Sequence, residues 1–198
     1  MSRRTRILLA LIAVYAIGMA ALLYQLLADL DPRYRESAEE GLIETAQLMA
    51  TVIEQDVEYG ALPTDRIGGI FRDLYARRFS AQIYNLHKTR VELRAYVTNR
   101  HGVVVYDSTG RDLGKDYAGW RDVRNTLRGE YGARTTRDVA QDADSAVMYV
   151  GAPIRWQGEI VGAVSLGKPV QSFGQFVSAA RSNILYVGLM SGLSALVL

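Results

Sequence analysis

The chain has 198 residues, a formal net charge of +2, two histidines and no cysteine. This length suits one domain of ordinary size plus membrane segments, and the lack of cysteine excludes disulfides and thiolate metal sites. The acidic residues all follow the first apolar segment, and the middle of the chain is nearly neutral. A basic stripe with interleaved aromatic residues, as in nucleic-acid-binding proteins, is therefore not present.

The first predicted element is a membrane helix over Ile7–Leu27, which contains no charged residue. A helix of this length spans roughly 30 Å, the thickness of the hydrocarbon core of a bilayer. Three arginines precede it, so the positive-inside tendency keeps residues 1–6 in the cytoplasm and exports residues 28–183. The alternative is a cleaved signal peptide, but the apolar run is longer than usual and lacks a clear cleavage site.

Two further helices are predicted after the membrane segment. Asp31-Pro32 either starts a new helix or kinks the first one. From Tyr34 to Val57, apolar residues recur every three or four positions, which predicts a long amphipathic stalk that continues the membrane helix. Gly60 ends the stalk, and Pro63-Thr64-Asp65 starts a shorter amphipathic helix.

The pattern then changes to that of a β-sheet. Residues 91–98 alternate between apolar and polar, which predicts a half-buried strand, and a turn leads into a second strand over 103–106. A short helix is predicted over 120–127. A hairpin is predicted from 146–154 and 159–166, joined by Trp-Gln-Gly. Two helices followed by at least four strands give an antiparallel α+β fold.

A second membrane segment is predicted over residues 184–198, which are apolar to the last residue. Fifteen residues are short for a complete span, so this stretch is interpreted as the start of a second, truncated membrane helix. A buried core helix is the alternative. The predicted domain order is therefore a cytoplasmic N-terminus (1–6), a membrane helix (7–27), an exported domain (28–183) and the second membrane segment (184–198).

The motifs of common enzyme classes do not occur in this sequence. The only histidines are His87 and His101, and H-E-x-x-H, the glycine-rich phosphate loops and G-x-S-x-G are all missing. Asp107 and Asp116 lie in turn-like contexts that suit capping as well as catalysis. Catalysis within this chain is therefore disfavoured, and no metal site or cofactor is predicted in it.

The most unusual stretch is Gly114–Thr136, which combines tyrosines, a tryptophan and several arginines. Arginine binds carboxylate or phosphate in a bidentate manner, and Tyr and Trp supply walls with a polar tip. Strand residues would form the floor of such a pocket, and a lysine after the last strand would close its edge. The alternative is that the aromatic residues anchor the loop while the arginines are solvated. The candidate residues for a small anionic ligand are Arg94, Tyr96, Tyr117, Trp120, Arg121, Arg128, Tyr131, Arg134, Tyr149 and Lys168.

Several motifs together resemble the sensor part of CreC-type histidine kinases. They are D-Y-x-x-W-x-D-V (116–123), T-L-R-G-x-Y-G-A-R-T-T (126–136), V-M-Y-V-x-A-P-I (147–154) and G-x-x-x-G-x-x-S-x-G-K-P (158–169), with L-I-x-T-A (42–46) and V-Y-D-S (105–108) in support. The likeness covers nearly the whole chain and is densest from Tyr96 to Pro169. It implies a periplasmic domain of the Cache (PDC) type, related to PAS domains, between two membrane helices.

The resemblance also implies what would follow this chain in its parent protein. CreC-type kinases continue into a HAMP segment and a kinase core that uses ATP and Mg²⁺ to phosphorylate a response regulator. The expected setting is thus the bacterial inner membrane, with a homodimer as the working unit and neither histidine acting as phosphoacceptor. Alternative outputs are a chemoreceptor or a cyclic-dinucleotide enzyme. A membrane-anchored binding protein without cytoplasmic output is the alternative from another class.

Overall fold

The computed structural model describes residues 2–83, 86–137, 139, 141–142, 145–170, 182–188 and 190–191. The chain divides into two compact units, one of Met1–Ala38 with Ser172–Leu198 and one of Glu39–Gln171. Helix α1 (Arg3–Glu54) runs through both units with Pro32 inside it. By length and composition, α1 is the one helix in the described part of the chain that could cross a membrane. The predicted continuity of membrane segment and stalk is confirmed, since a single helix contains both.

The first unit pairs the apolar part of α1 with helical residues near the end of the chain. Residues 182–188 and 190–191 are helical. Gly188 lies against Leu23 so closely that a Cβ on the glycine would be 2.8 Å from a leucine methyl carbon. The hydroxyl groups of Tyr15 and Ser191 are 3.2 Å apart. The rest of the predicted segment 184–198 lies outside the described residues, so a second membrane helix stays a prediction.

The second unit is built on an antiparallel β-sheet. The elements that follow α1 are α2 (Thr64–Ala76), β1 (Ala81–Ile83), β2 (Leu86–Lys88), β3 (Arg94–Asn99), β4 (Val104–Asp107), α3 (Arg121–Leu127), β5 (Gly132–Arg137), β6 (Ala146–Trp156) and β7 (Glu159–Pro169). The sheet has five strands in the order β4-β3-β7-β6-β5. A separate two-stranded ribbon, β1 with β2, precedes it in the chain. The predicted antiparallel α+β fold is confirmed, including the β6–β7 hairpin.

The sheet is covered on both faces. On one face, α1 and α2 pack their apolar stripes against the sheet and form the larger core, with Ala46, Ile53 and Phe71 among its buried residues. On the other face, α3 and the segment before it cover a smaller core. The prediction that the first long strand is half-buried is therefore wrong. Residues 95–98 of β3 are all buried. The face of β3 that carries the more polar side chains was expected to be exposed, but α3 and the segment before it cover this face.

Strand β5 was not predicted, although it forms one edge of the sheet. Its residues pair with β6 from Gly132↔Gly151 to Arg137↔Ala146, within a stretch interpreted as a loop. The sequence G-A-R-T-T-R has no apolar alternation, because most of this strand is only partly buried or exposed and its backbone pairing with β6 holds it in the sheet. The predicted binding loop is thus a helix followed by a strand.

Candidate functional site

Helix α3 approaches the sheet closely because two paired strand positions are glycines. Gly132 of β5 and Gly151 of β6 are cross-strand partners. A Cβ at Gly132 would overlap the carbonyl oxygen of Asp122, and one at Gly151 would overlap the hydroxyl group of Thr126. Both obstructing residues lie in α3. The two glycines therefore set the distance between helix and sheet, and this close packing brings the Asp122 side chain into the smaller core.

Asp122 is the centre of a buried polar cluster. Its side chain is fully buried, whereas the side chain of its partner Arg134 is 14% exposed. Arg134 Nε donates to Asp122 Oδ1 over 2.8 Å, and the Tyr96 hydroxyl group donates to Asp122 Oδ2. Arg134 Nη2 also contacts the Tyr96 hydroxyl oxygen at 3.4 Å. Both carboxylate oxygens therefore have strong donors, as a buried charge requires.

Aromatic rings enclose the guanidinium group of Arg134. Its Cζ lies 3.7 Å from the ring centroid of Trp120 and 5.0 Å from that of Tyr149. Trp120 stacks on Tyr117 at 3.6 Å, and Tyr96 contacts Tyr117 edge-on with centroids 5.3 Å apart. A cation over aromatic faces is attracted by their quadrupoles, so these contacts add to the ion pair. Arg134 is therefore already committed to protein partners.

The pKa values within the cluster follow from burial and from the Asp122 charge. Burial raises the pKa of Tyr96 well above its usual range, and the nearby Asp122 carboxylate raises it further. For Arg134, burial alone would lower the pKa, but the Asp122 charge and the hydrogen bonds that Arg134 donates to Asp122 and Tyr96 outweigh it and raise the pKa. At neutral pH the tyrosine is thus a neutral donor and the arginine a fixed cation.

A cavity of about 370 Å³ lies beside this cluster, formed by the aromatic residues, the loop after β4 and the end of β5. Asp107 shapes the loop, since its carboxylate accepts from the backbone amides of Thr109, Arg111 and Asp112. The residues that line the cavity are Tyr96, Asp107, Thr109, Arg111, Asp112, Lys115, Tyr117, Trp120, Thr136, Arg137 and Tyr149. Three of them are cations and two are acids. The Asp107 acid is used for the turn, which is one of the two roles that its sequence context allowed.

Asp112 and Lys115 form the pair at the mouth of the cavity. Lys115 Nζ lies 2.5 Å from Asp112 Oδ1, and the lysine side chain is the more exposed of the two. Burial would raise the pKa of Asp112, but hydrogen bonds from Lys115 and Tyr117 outweigh it and lower the pKa. Burial and the hydrogen bond to Asp112 raise the pKa of Tyr117. The Asp112 carboxylate that Lys115 contacts is therefore ionised at neutral pH. Any anion that enters the cavity must compete with this carboxylate for Lys115.

The structure brings together half of the predicted site residues. Tyr96, Tyr117, Trp120 and Tyr149 line the cavity, and Arg134 lies behind them, where it holds Trp120. Their convergence follows from the register, in which Arg134 pairs with Tyr149.

The other five predicted residues lie elsewhere. Arg121 and Arg128 are exposed at the two ends of α3. Tyr131 is half-exposed, and its hydroxyl group donates to Glu39 of α1. Arg94 is half-buried at the start of β3 and is not among the described residues that line the cavity.

Lys168 requires a correction, because it was expected to close the edge of the pocket. It pairs with Met148, which belongs to the larger core, so alternation along β7 places it on the α1 face of the sheet. Burial and the charge of Lys88 lower the pKa of Lys168, and Glu92 partly opposes them. The strand runs to Pro169, three residues beyond its predicted end. Lys168 therefore lies within the strand, and its position in the alternation of side chains assigns it to the α1 face.

Comparison with known proteins supports the sensor assignment. No protein-family model matches the chain. Sensor protein CreC of Escherichia coli strain K12 is 34% identical over 181 residues, which is 91% of this chain and 38% of that relative. The chain therefore spans well under half of the relative's length. The resemblance drawn from the sequence motifs is confirmed.

One solved structure shows the same fold, and a second is less similar. The sensor domain of the V. cholerae histidine kinase DctB matches with a TM-score of 0.50 and 16% identity, over 80% of this chain and 60% of that chain. The sensor domain of E. coli DcuS matches with a TM-score of 0.40 and 18% identity, over 71% of this chain and 97% of that chain. The Cache-like fold class predicted from the sequence is confirmed by the first of these.

Proposed function

We propose that this chain, whose sequence is similar to part of sensor protein CreC and whose fold is that of a histidine kinase sensor domain, is an extracytoplasmic sensor and transmembrane signalling module. The observation that carries the proposal is the cavity beside the Asp122 cluster, which offers aromatic walls and three cations. A concave site of a few hundred cubic ångströms with a few convergent polar groups is the usual form of a small-molecule site. Within a sensor domain, such a site is where a signal molecule would bind.

The ligand that fits this cavity best is a small anion such as a carboxylate or phosphate. Arg111, Lys115 and Arg137 supply three positive charges, and Asp107 and Asp112 supply two negative ones. The Asp107 carboxylate is held by backbone amides, so Asp112 is the carboxylate, among the described residues, that an anion must displace from Lys115. Charge-assisted hydrogen bonds to an anion in a partly enclosed site are strong enough to select it over neutral molecules.

The setting of this module follows from the helix that carries it. The apolar part of α1 would cross the inner membrane, with residues 28–183 in the periplasm, and the module would work as a homodimer. A downstream kinase core using ATP and Mg²⁺ would phosphorylate a response regulator. A ligand-dependent change in the domain would reach the membrane along α1, whose buried residues Ala46 and Ile53 pack against the sheet and which continues without a break into the apolar segment.

Two neighbouring substitutions at the cavity mouth are expected to act in opposite directions. Lys115→Met removes a charge-assisted hydrogen bond and should weaken the binding of an anion about tenfold. This factor is at the lower end of the range for the loss of such a bond, because the lysine side chain is half-exposed. Asp112→Asn keeps a hydrogen-bond acceptor for Tyr117 but removes the negative charge that holds Lys115. It should strengthen anion binding severalfold, because the interaction of one pair of charges in water amounts to about 1 kcal/mol. Thermal-shift titration of the full chain in detergent with inorganic phosphate, succinate and citrate measures both effects.

Arg128→Met is the matched control, since Arg128 is an exposed cation outside the cavity. It should leave the anion-dependent shift unchanged. If none of the three anions shifts the melting temperature of the full chain, or if Arg128→Met weakens the response as much as Lys115→Met, the anion site is refuted. A shift that depends on Lys115 but not on Arg128 supports it.

A further inference from the structure

A second concavity of about 770 Å³ lies at the end of the sheet where three turns meet. The turns are the one between α1 and α2, the β3–β4 turn and the β6–β7 turn. We call this concavity the groove. Its lining residues are Tyr59, Gly60, Ala61, Leu62, Thr64, Asn99, Arg100, His101, Val105, Trp156, Gln157, Glu159, Ile160 and Val161. None of them lines the cavity beside Asp122, so the groove is separate from the anion site.

Two of the turns at this groove contain a non-glycine residue in the left-handed region of the backbone. Tyr59 has φ 53° and Gln157 has φ 52°, and they are the two non-glycine residues with positive φ among the described residues. Both line the groove. Each precedes a glycine with positive φ, Gly60 at 76° and Gly158 at 88°, as in two-residue turns that need positive φ at both central positions, and such a φ strains a non-glycine residue. The turns that form the groove therefore account for both outliers.

The side chain of Tyr59 contributes little to the fold. It is 92% exposed, so the strained backbone presents an aromatic ring to solvent. Trp156 is half-buried and packs against the larger core. The turn at Gly60 lies against the ring of Trp156, since a Cβ added to Gly60 would be 3.6 Å from Trp156 Cε3. The groove therefore has one anchored aromatic residue and one exposed aromatic residue, with the side chains of Ile160 and Val161 between the turns.

The polar residues of the rim favour a neutral ligand. Arg100 and Glu159 supply one charge of each sign, and Asn99 and Gln157 supply amides. The Asn99 side-chain oxygen accepts from the backbone amides of His101 and Val103, so its nitrogen is the group left to donate. This balanced set of donors and acceptors contrasts with the excess of cations at the other cavity.

We infer that the groove is a second ligand site and that it binds a neutral saccharide. A sugar ring has an apolar face of C–H groups, which suits an aromatic side chain, and an edge of hydroxyl groups, which pair with amides, guanidinium and carboxylate. The volume falls in the range of small-molecule sites and holds one or two sugar rings. Tyr59 serves as the exposed aromatic wall of this site.

The two tryptophans of the chain allow each site to be observed alone. Trp156 lies in the groove and Trp120 in the cavity beside Asp122, and the sequence has no third tryptophan. In full-length Trp120→Phe chain in detergent, titration with glucose, N-acetylglucosamine, maltose and chitobiose should change the Trp156 fluorescence saturably for at least one sugar. In the Trp156→Phe chain, the same sugar should leave the Trp120 fluorescence unchanged.

Tyr59→Gly distinguishes a binding role from a structural one. In the Trp120→Phe background it should weaken saccharide binding at least about tenfold, as loss of an aromatic anchor does. It should also raise the melting temperature by about 2–4 °C, because it removes the backbone strain. Absence of any fluorescence change with all four sugars, or unchanged binding in Tyr59→Gly, overturns the inference. A response of Trp156 to inorganic phosphate alone also overturns it, since the ligand class would then be wrong.

Discussion

Replacement of Asp122 with alanine is expected to lower the free energy of unfolding by about 3–5 kcal/mol, the usual cost of removing one partner from a buried ion pair. The carboxylate is fully buried and accepts from Arg134 and Tyr96. Without it, the Arg134 guanidinium keeps its charge in a mostly buried position with no counter-ion. The Tyr96 hydroxyl group also loses its acceptor. Both groups pay their desolvation cost without compensation, so the loss exceeds that of an ordinary hydrogen bond.

Urea denaturation of the full chain in detergent, followed by far-UV circular dichroism, measures this loss. Asp73→Ala is the matched control, because Asp73 is 82% exposed and its ion pair with Arg72 is 3.9 Å long. That variant should stay within about 0.5 kcal/mol of the parent chain. A cost below about 1 kcal/mol for Asp122→Ala would show that the cluster is not a charged, desolvated pair.

The Asp122→Ala, Arg134→Met double variant tests the reason for the loss. If the unpaired guanidinium is the main cost, removal of its charge should recover part of the stability that the single Asp122 variant loses. Met also fills part of the space between the Trp120 and Tyr149 rings. A double variant as unstable as the sum of both single variants would place the cost in packing instead.

The sequence predicted those elements whose burial is periodic. The α1 stripe recurs every three or four residues because one side of the helix faces the sheet, and the β6–β7 hairpin has a turn with Gly158 at φ 88°. Strand β5 was missed, since G-A-R-T-T-R has neither alternation nor apolar content. The half-burial predicted for β3 was wrong because a seven-residue helix distant in sequence covers its polar face.

The candidate site was predicted in its aromatic part and missed in its cationic part. Tyr and Trp residues near arginines indicated a cluster, and Tyr96, Tyr117, Trp120 and Tyr149 do meet. The cations that line the cavity are Arg111, Lys115 and Arg137, which come from the loop after β4 and the end of β5. Their convergence depends on the register of the sheet and on the turn formed by Asp107, and neither can be read from composition. The signal that could have found two of them is the Asp-Ser-Thr-Gly turn, which starts the loop that carries Arg111 and Lys115.

Substitution of Gly132 with alanine is expected to lower the free energy of unfolding by about 1–3 kcal/mol or more. The new methyl group would overlap the backbone carbonyl oxygen of Asp122 and the hydroxyl group of Thr126, 2.6 Å from the ideal Cβ position. A backbone atom cannot rotate away as a side chain can, so α3 must move from the sheet. The movement would carry Asp122 away from Arg134, and Trp120, which immediately precedes α3, would shift with it.

Gly119→Ala provides the control for this change, because no atom lies within 4 Å of a Cβ built at Gly119 and its φ is not positive. It lies next to Trp120, so it tests whether any added methyl group near the cavity has the same effect. Near-UV circular dichroism should report a changed Trp120 environment for Gly132→Ala and none for Gly119→Ala. Equal stability of the two variants would contradict the role of the glycine pair. A loss confined to Gly132→Ala, together with weaker anion binding, would show that helix–sheet spacing and ligand affinity depend on the same contact.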